Sequence, residues 1–237
     1  MQQPTSIDPF NAPVSRRRAL HTSFCSSAPL ALNISPRNAR GAGDGAVLNL
    51  LAIGDFGTTG KEQKAVAKAM QAYVKQQALT TDALLLVGDN FYTKMEGGLD
   101  SERWQSGFEE MYPASAFPGP AYVVLGNHDY HDNENGEKVQ LGYAAHRLGT
   151  RWTLPAKWHR AELGPKDAPL ATLLFVDTNF PAVSGGKDSK TGKPKASLTR
   201  KEVDEQMAWL ESQLSGKRAP LTLVVGHHPL YSNGSHG

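Results

Sequence analysis

Four apolar runs in this sequence end in glycine, and each glycine is followed by a side chain that ligates hard metal ions: Gly54-Asp55, Gly88-Asp89, Gly126-Asn127-His128 and Gly226-His227. Tyr92 adds a phenol three residues past Asp89. Carboxylate, amide oxygen, imidazole and phenolate together suit ferric iron, zinc or manganese, and the lack of thiolates argues against a structural zinc. Taken alone, Gly88-Asp89 is also a common turn in which the aspartate caps backbone amides. A single oxygen-rich cluster would equally suit calcium. The recurrence of the pattern with mixed nitrogen and oxygen donors points instead to a two-metal hydrolase.

The elements that must carry these donors are strands. Leu84–Val87 is unbroken apolar sequence, as expected of a strand buried on both faces, and Leu48–Ile53, Tyr122–Leu125 and Leu221–Val225 repeat the theme. The donors therefore fall at strand carboxyl ends, where open α/β sheets bind ligands, and are expected along one sheet edge. Thr59 with Glu62 forms a capping box ahead of a helix marked by Val66, Ala69, Tyr73 and Val74, making a βαβ unit with a right-handed crossover. Trp104, Phe108 and Met111 suggest a short helix before Pro113, and Tyr143–Leu148 a helical turn. Residues 152–163 read as two antiparallel strands, and Leu170–Val176 as a strand ending at a structural Asp177. Thr199 and Glu202 cap a helix whose one face is Val203, Met207, Leu210 and Leu214. Asp129 is expected to hold the His128 imidazole from behind.

A chain of 237 residues suffices for one sizeable α/β domain, and a formal charge of +2 gives no reason to expect nucleic acid. Residues 1–46 hold five arginines against two aspartates, and the remainder carries 20 basic and 21 acidic residues. Residues 1–45 read as an export signal or a disordered arm. S-R-R-R-A-L from Ser15, a weakly apolar stretch to Leu32 and small residues near Asn38–Ala42 resemble a twin-arginine signal, which implies a periplasmic or secreted protein. Residues 46–237 form the catalytic domain. The one cysteine, Cys25, precludes a disulfide framework, and no run approaches the roughly eighteen apolar residues of a membrane span. Residues 181–197 form a lysine-rich surface loop. His21, His131, His146 and His159 stand in no motif and default to surface or core positions.

G-D-F-G at Gly54, G-D-N-F-Y at Gly88, G-N-H-D at Gly126, V-V-G-H at Val224 and S-H-G at Ser235 resemble, in order, the motifs of the purple acid phosphatases, with the short spacing of the tartrate-resistant type. Within the metallophosphoesterase superfamily the first motif is usually Asp-x-His, whereas Gly57 stands two residues after Asp55, and Tyr92 compensates. The resemblance implies an α/β sandwich of two mixed sheets flanked by helices. It implies an acid phosphatase that hydrolyses phosphate monoesters of small substrates with a ferric and divalent (Fe, Zn or Mn) metal pair and metal-activated hydroxide. Asp55 and Tyr92 would bind the ferric ion, Asp89 would bridge, and Asn127 and His227 would bind the divalent ion. His128 would hold a phosphoryl oxygen and His236 would donate the leaving-group proton. His228 is given no fixed role and is read as a histidine either behind the metal ligands or on the substrate side of the site.

The resemblance also predicts a Gly-His-x-His motif some tens of residues beyond the S-H-G, past Gly237. On that basis the sandwich is expected to lack its C-terminal strands and each metal one protein ligand, with an exposed sheet edge. Two alternatives follow: a catalytically inactive metal- or phosphate-binding remnant, and a metal-dependent phosphodiesterase, against which Tyr92 argues.

Overall fold

The computed structural model describes residues 30–34, 47–133, 135–189 and 192–231. Its first sheet holds β1 (Leu30–Ile34), β2 (Leu48–Ile53), β3 (Ala83–Val87), β4 (Ala121–Val124) and β5 (Trp152–Thr153) in that order. All neighbours are parallel except β1, which runs antiparallel to β2. The second sheet is β6 (His159–Leu163), β7 (Ala171–Phe175) and β8 (Leu221–Val225), with β6 antiparallel and β8 parallel to β7. Helices α1 (Lys61–Gln76), α2 (Asn127–His131), α3 (Gly136–His146) and α4 (Arg200–Ser215) and a π-helical segment, Trp104–Glu109, complete the mixed α/β sandwich.

Strand alternation sorts the apolar runs into two cores. Leu84 and Leu86 face a layer that includes Phe91, Trp104, Phe108 and Met70 of α1, while Ala83 and Leu85 face the second sheet's Leu173 and Phe175. Both faces of β3 are thus covered, which is why its sequence shows no polar alternation. Each leucine so buried contributes roughly 2 kcal/mol. The register pairs Ile53 with Leu86 and Leu86 with Val123, so β2, β3 and β4 end level with one another.

Several expectations are corrected. The metal-type donors lie at strand ends of two sheets, not one, because β8 belongs to the second sheet. Thr59 does not cap α1. It adopts a left-handed conformation (φ 59°), the N-cap is Gly60, and the Thr59 amide donates to Gln63 Oε1 at 2.6 Å. Gln63 is buried there because its Nε2 donates to the Gly107 carbonyl at 2.9 Å, a tertiary contact that outweighs the local capping box. The buried side of α1 is Gln63, Ala67, Met70 and Val74, and Tyr73 is 40% exposed. The turn expected near Tyr143 is part of the longer α3, and β5 and β6 pair with different sheets instead of with each other. The Thr199–Glu202 box holds, with Thr199 N to Glu202 Oε2 at 2.7 Å and Glu202 N to Thr199 Oγ1 at 3.2 Å. The expected apolar face of α4 is only partly covered, Met207 being 50% exposed. Its one buried residue, Gln206, instead locks onto Asp177, accepting its amide at 2.8 Å and donating to its carbonyl at 2.9 Å. No helix among the described residues is long and apolar enough to cross a membrane.

Candidate metal centre

Each donor loop is fixed by the loop of a neighbouring strand. The Asp55 amide donates to the Gly88 carbonyl (3.0 Å), the Gly57 amide to the Asp89 carbonyl (3.2 Å) and the Tyr92 amide back to the Gly57 carbonyl (3.0 Å). A β-carbon at Gly57 would lie 2.0 Å from the Asn90 carbonyl oxygen, so no side chain, a histidine included, fits there in this arrangement. Asp55 and Asp89 both adopt left-handed backbone (φ 55° and 53°), a strained conformation found where a site over-determines it. Gly88 (φ 95°) allows the His227 ring to pass; a β-carbon there would lie 2.5 Å from Nδ1.

These loops bring Asp55, Asp89 and His227 together, with one donor atom from each lying within 4.8 Å of the others. The Tyr92 hydroxyl lies 3.0 Å from Asp89 Oδ2 and 3.2 Å from Asp55 Oδ1. Burial, and then the charges of Asp89 and Asp55, hold that phenol well above its ordinary pKa. His227 Nδ1 lies 2.9 Å from the Val87 carbonyl, an acceptor only, so Nδ1 carries the proton and Nε2, 3.5 Å from Asp89 Oδ1, presents its lone pair. Neither carboxylate meets a lysine or arginine among the described residues. Two anionic oxygens, a phenol and an imidazole lone pair thus converge without a compensating cation, and a metal ion fits that donor set.

Asn127 opens α2, and its side-chain amide makes no hydrogen bond among the described residues. The next amide, that of His128, donates to Asp89 Oδ1 at 2.9 Å. The His128 ring packs on Tyr92 (centroids 4.6 Å) and is held by Asp132 Oδ1, 3.0 Å from Nδ1. Asp129 does not orient it. Instead its carboxylate, 1% exposed, accepts the amides of Gly126 (2.8 Å), Asn90 (3.0 Å) and Phe91 (3.1 Å) and the Gln140 side chain (2.7 Å), stapling the Gly126 loop to the Gly88 loop. Burial pushes Asp129 up to about 6 against the pull of those donors. His236 lies outside the described residues.

Three supporting residues escaped the sequence reading. Asp132 stands four residues after His128 on the same short helix, a spacing that was available as a signal. Arg103 gave none: its guanidinium donates to the Tyr92 carbonyl, to Thr93 O (3.1 Å) and to Gly57 O (2.6 Å), clamping two donor loops. Thr178 is visible only once β7 and β8 are paired. The lysine-rich loop is tied beside the site through His131 Nε2, 3.0 Å from the Ala196 carbonyl.

Two mixed sheets whose strand ends gather carboxylates, a phenol and imidazoles thus make a candidate metal centre. The profile of the calcineurin-like phosphoesterases matches residues 48–237, and the chain belongs to that family. It is 28% identical over 201 residues to human tartrate-resistant acid phosphatase type 5, covering 82% of this chain and 60% of that protein. It is 29% identical over 204 residues to purple acid phosphatase 17 of Arabidopsis thaliana, covering 82% and 55%. A solved structure described as GAP50, the anchor in the inner membrane complex of Plasmodium, superposes with a TM-score of 0.59 at 27% identity, over 80% of this chain and 58% of that one. The chain therefore spans somewhat more than half the length of the relatives it matches.

Proposed function

We propose that this protein is an acid phosphatase that hydrolyses phosphate monoesters of small substrates at a binuclear centre of ferric iron and a divalent ion. The observation that carries the proposal is the convergence of Asp55, Asp89 and His227 within 4.8 Å with the Tyr92 hydroxyl on both carboxylates. Asp55 and Tyr92 would hold one ion, Asn127 and His227 the other, and Asp89 both. When bound, the ions would neutralise phosphoryl charge and acidify a water.

The chain's own groups do the rest. His128 is oriented by Asp132 through Nδ1, and in its doubly protonated form it donates from Nε2 to a phosphoryl oxygen. The Tyr92 ring limits how far that imidazole swings. His236, nine residues past His227, supplies the proton to the departing alkoxide. The S-R-R-R-A-L segment supports export of the protein, which fractionation of expressing cells would test.

Metal analysis with visible absorption, followed by turnover of an aryl phosphate, tests the function. Two metals per chain, a tyrosinate band lost in Tyr92→Phe and turnover abolished in Asp89→Ala are expected. A protein that takes up no metal, or turnover indifferent to Asp89→Ala, would sink the proposal.

A further inference from the structure

His228 is an imidazole beside the centre to which no part in metal binding, phosphate binding or proton donation has yet been given. Strand pairing fixes its place. β7 and β8 are parallel with Phe175 opposite Val225, and three residues further along each chain Thr178 meets His228. The Thr178 hydroxyl accepts the His228 backbone amide at 3.0 Å and lies 2.8 Å from Nδ1 of the same ring. With its oxygen accepting that amide, the hydroxyl turns its proton to Nδ1. The imidazole is therefore held at two points, with its hydrogen on Nε2.

Nε2 has no hydrogen-bond partner among the described residues, although the ring is half-buried. The ring packs edge-on against His227 with centroids 4.8 Å apart, and the charges of Asp89 and Asp55 act on it. An ordered N–H donor without a protein acceptor, one residue from a metal-type histidine, has the chemistry of an oxyanion contact. A lone structural histidine would need no such tether.

We propose that His228, oriented by Thr178, is a substrate-binding residue whose Nε2–H donates to a non-ester oxygen of the bound phosphate. This rests on the phosphatase reading above. His228 then contacts the phosphate from the β8 side and His128 from the α2 side. Thr178 acts only through His228 and is a positioning residue.

The test is binding of inorganic phosphate to the metal-loaded full chain, read by calorimetry, with metal content measured on every variant. A hydrogen bond to a charged oxygen is worth on the order of tenfold in affinity. His228→Ala should weaken phosphate binding about tenfold, Thr178→Val about threefold, and Thr178→Ser should restore the wild-type value, all with unchanged metal content. With an aryl phosphate, the His228→Ala loss should fall on KM more than on kcat. Phosphate affinity within twofold of wild type in His228→Ala would overturn the proposal, as would loss of metal in that variant, which would make His228 a ligand instead. Wild-type protein that binds metal but no phosphate would overturn the phosphatase reading and this proposal together. Protein that binds no metal would likewise overturn both.

Discussion

His159 makes the fold sensitive to the acidity at which the proposed enzyme would work. It points from β6 into the core between the sheets, 7% exposed, stacked on Phe175 (centroids 4.5 Å) and near Tyr122 (6.5 Å). Both ring nitrogens are buried, and burial lowers its pKa from 6.5 to about 4 against the pull of the Ala156 backbone. Between those values the unfolded chain binds a proton that the folded chain refuses. Stability contributed by the neutral ring is therefore fully present above pH 6.5 and is lost as pH falls toward 4. The gap between those two values corresponds to about 3 kcal/mol, a large share of a typical domain's stability. Replacing the ring by His159→Phe or His159→Leu changes packing as well, so the absolute stability at pH 7 is not the readout. What counts is the loss between pH 7 and pH 4 in urea unfolding, which should be smaller by about 3 kcal/mol in both variants. Curves for wild type and variants that run parallel across that window would refute the assignment.

Two further outcomes follow from the donor loops. Gly57→Ala puts a β-carbon 2.0 Å from the Asn90 carbonyl oxygen, which must part the loops after β2 and β3. Metal content should fall sharply and the melting temperature should drop, whereas a variant that keeps both would show that the loops are not so tightly joined. Arg103→Lys removes the fork that spans the Gly57 and Tyr92 carbonyls and should destabilise the protein by about 2 kcal/mol in urea unfolding, since one ammonium cannot reach both. Stability unchanged in that variant would count against the clamp.

What the sequence disclosed was whatever repeats locally. Apolar runs closed by glycine gave β2, β3, β4 and β8, and the donor residues behind those glycines came with them. The Thr199–Glu202 box was legible because the tertiary partner of Glu202, Lys157, takes Oε1 at 2.7 Å and leaves Oε2 to the Thr199 amide. The Thr59 box failed because Gln63 is drawn inward to the Gly107 carbonyl, a partner 44 residues away. The partition of residues 152–163 between two sheets was hidden because both pieces are short, two and five residues, and pairing choice is tertiary. Asp129 misled for a related reason: its position beside His128 suggests a local role, but α2 turns the carboxylate inward onto amides of another loop.

The centre is organised by exchange between strands, and this bears on when it can form. Asp55 is positioned by Gly88, Gly57 by Asp89, His128 by Asp89, the Asn90 and Phe91 amides by Asp129, and His227 by Val87. The last of these crosses from one sheet to the other, as does the Asn179 side chain when it donates to the Leu125 carbonyl at 3.1 Å. No donor loop is held in place by its own strand alone. A cation gripped by Asp55, Asp89 and His227 would therefore bind only to docked sheets, and its binding energy would add to the energy that docks them. The left-handed backbone at Asp55 and Asp89 fits the same logic, since it lies in the loops that interlock.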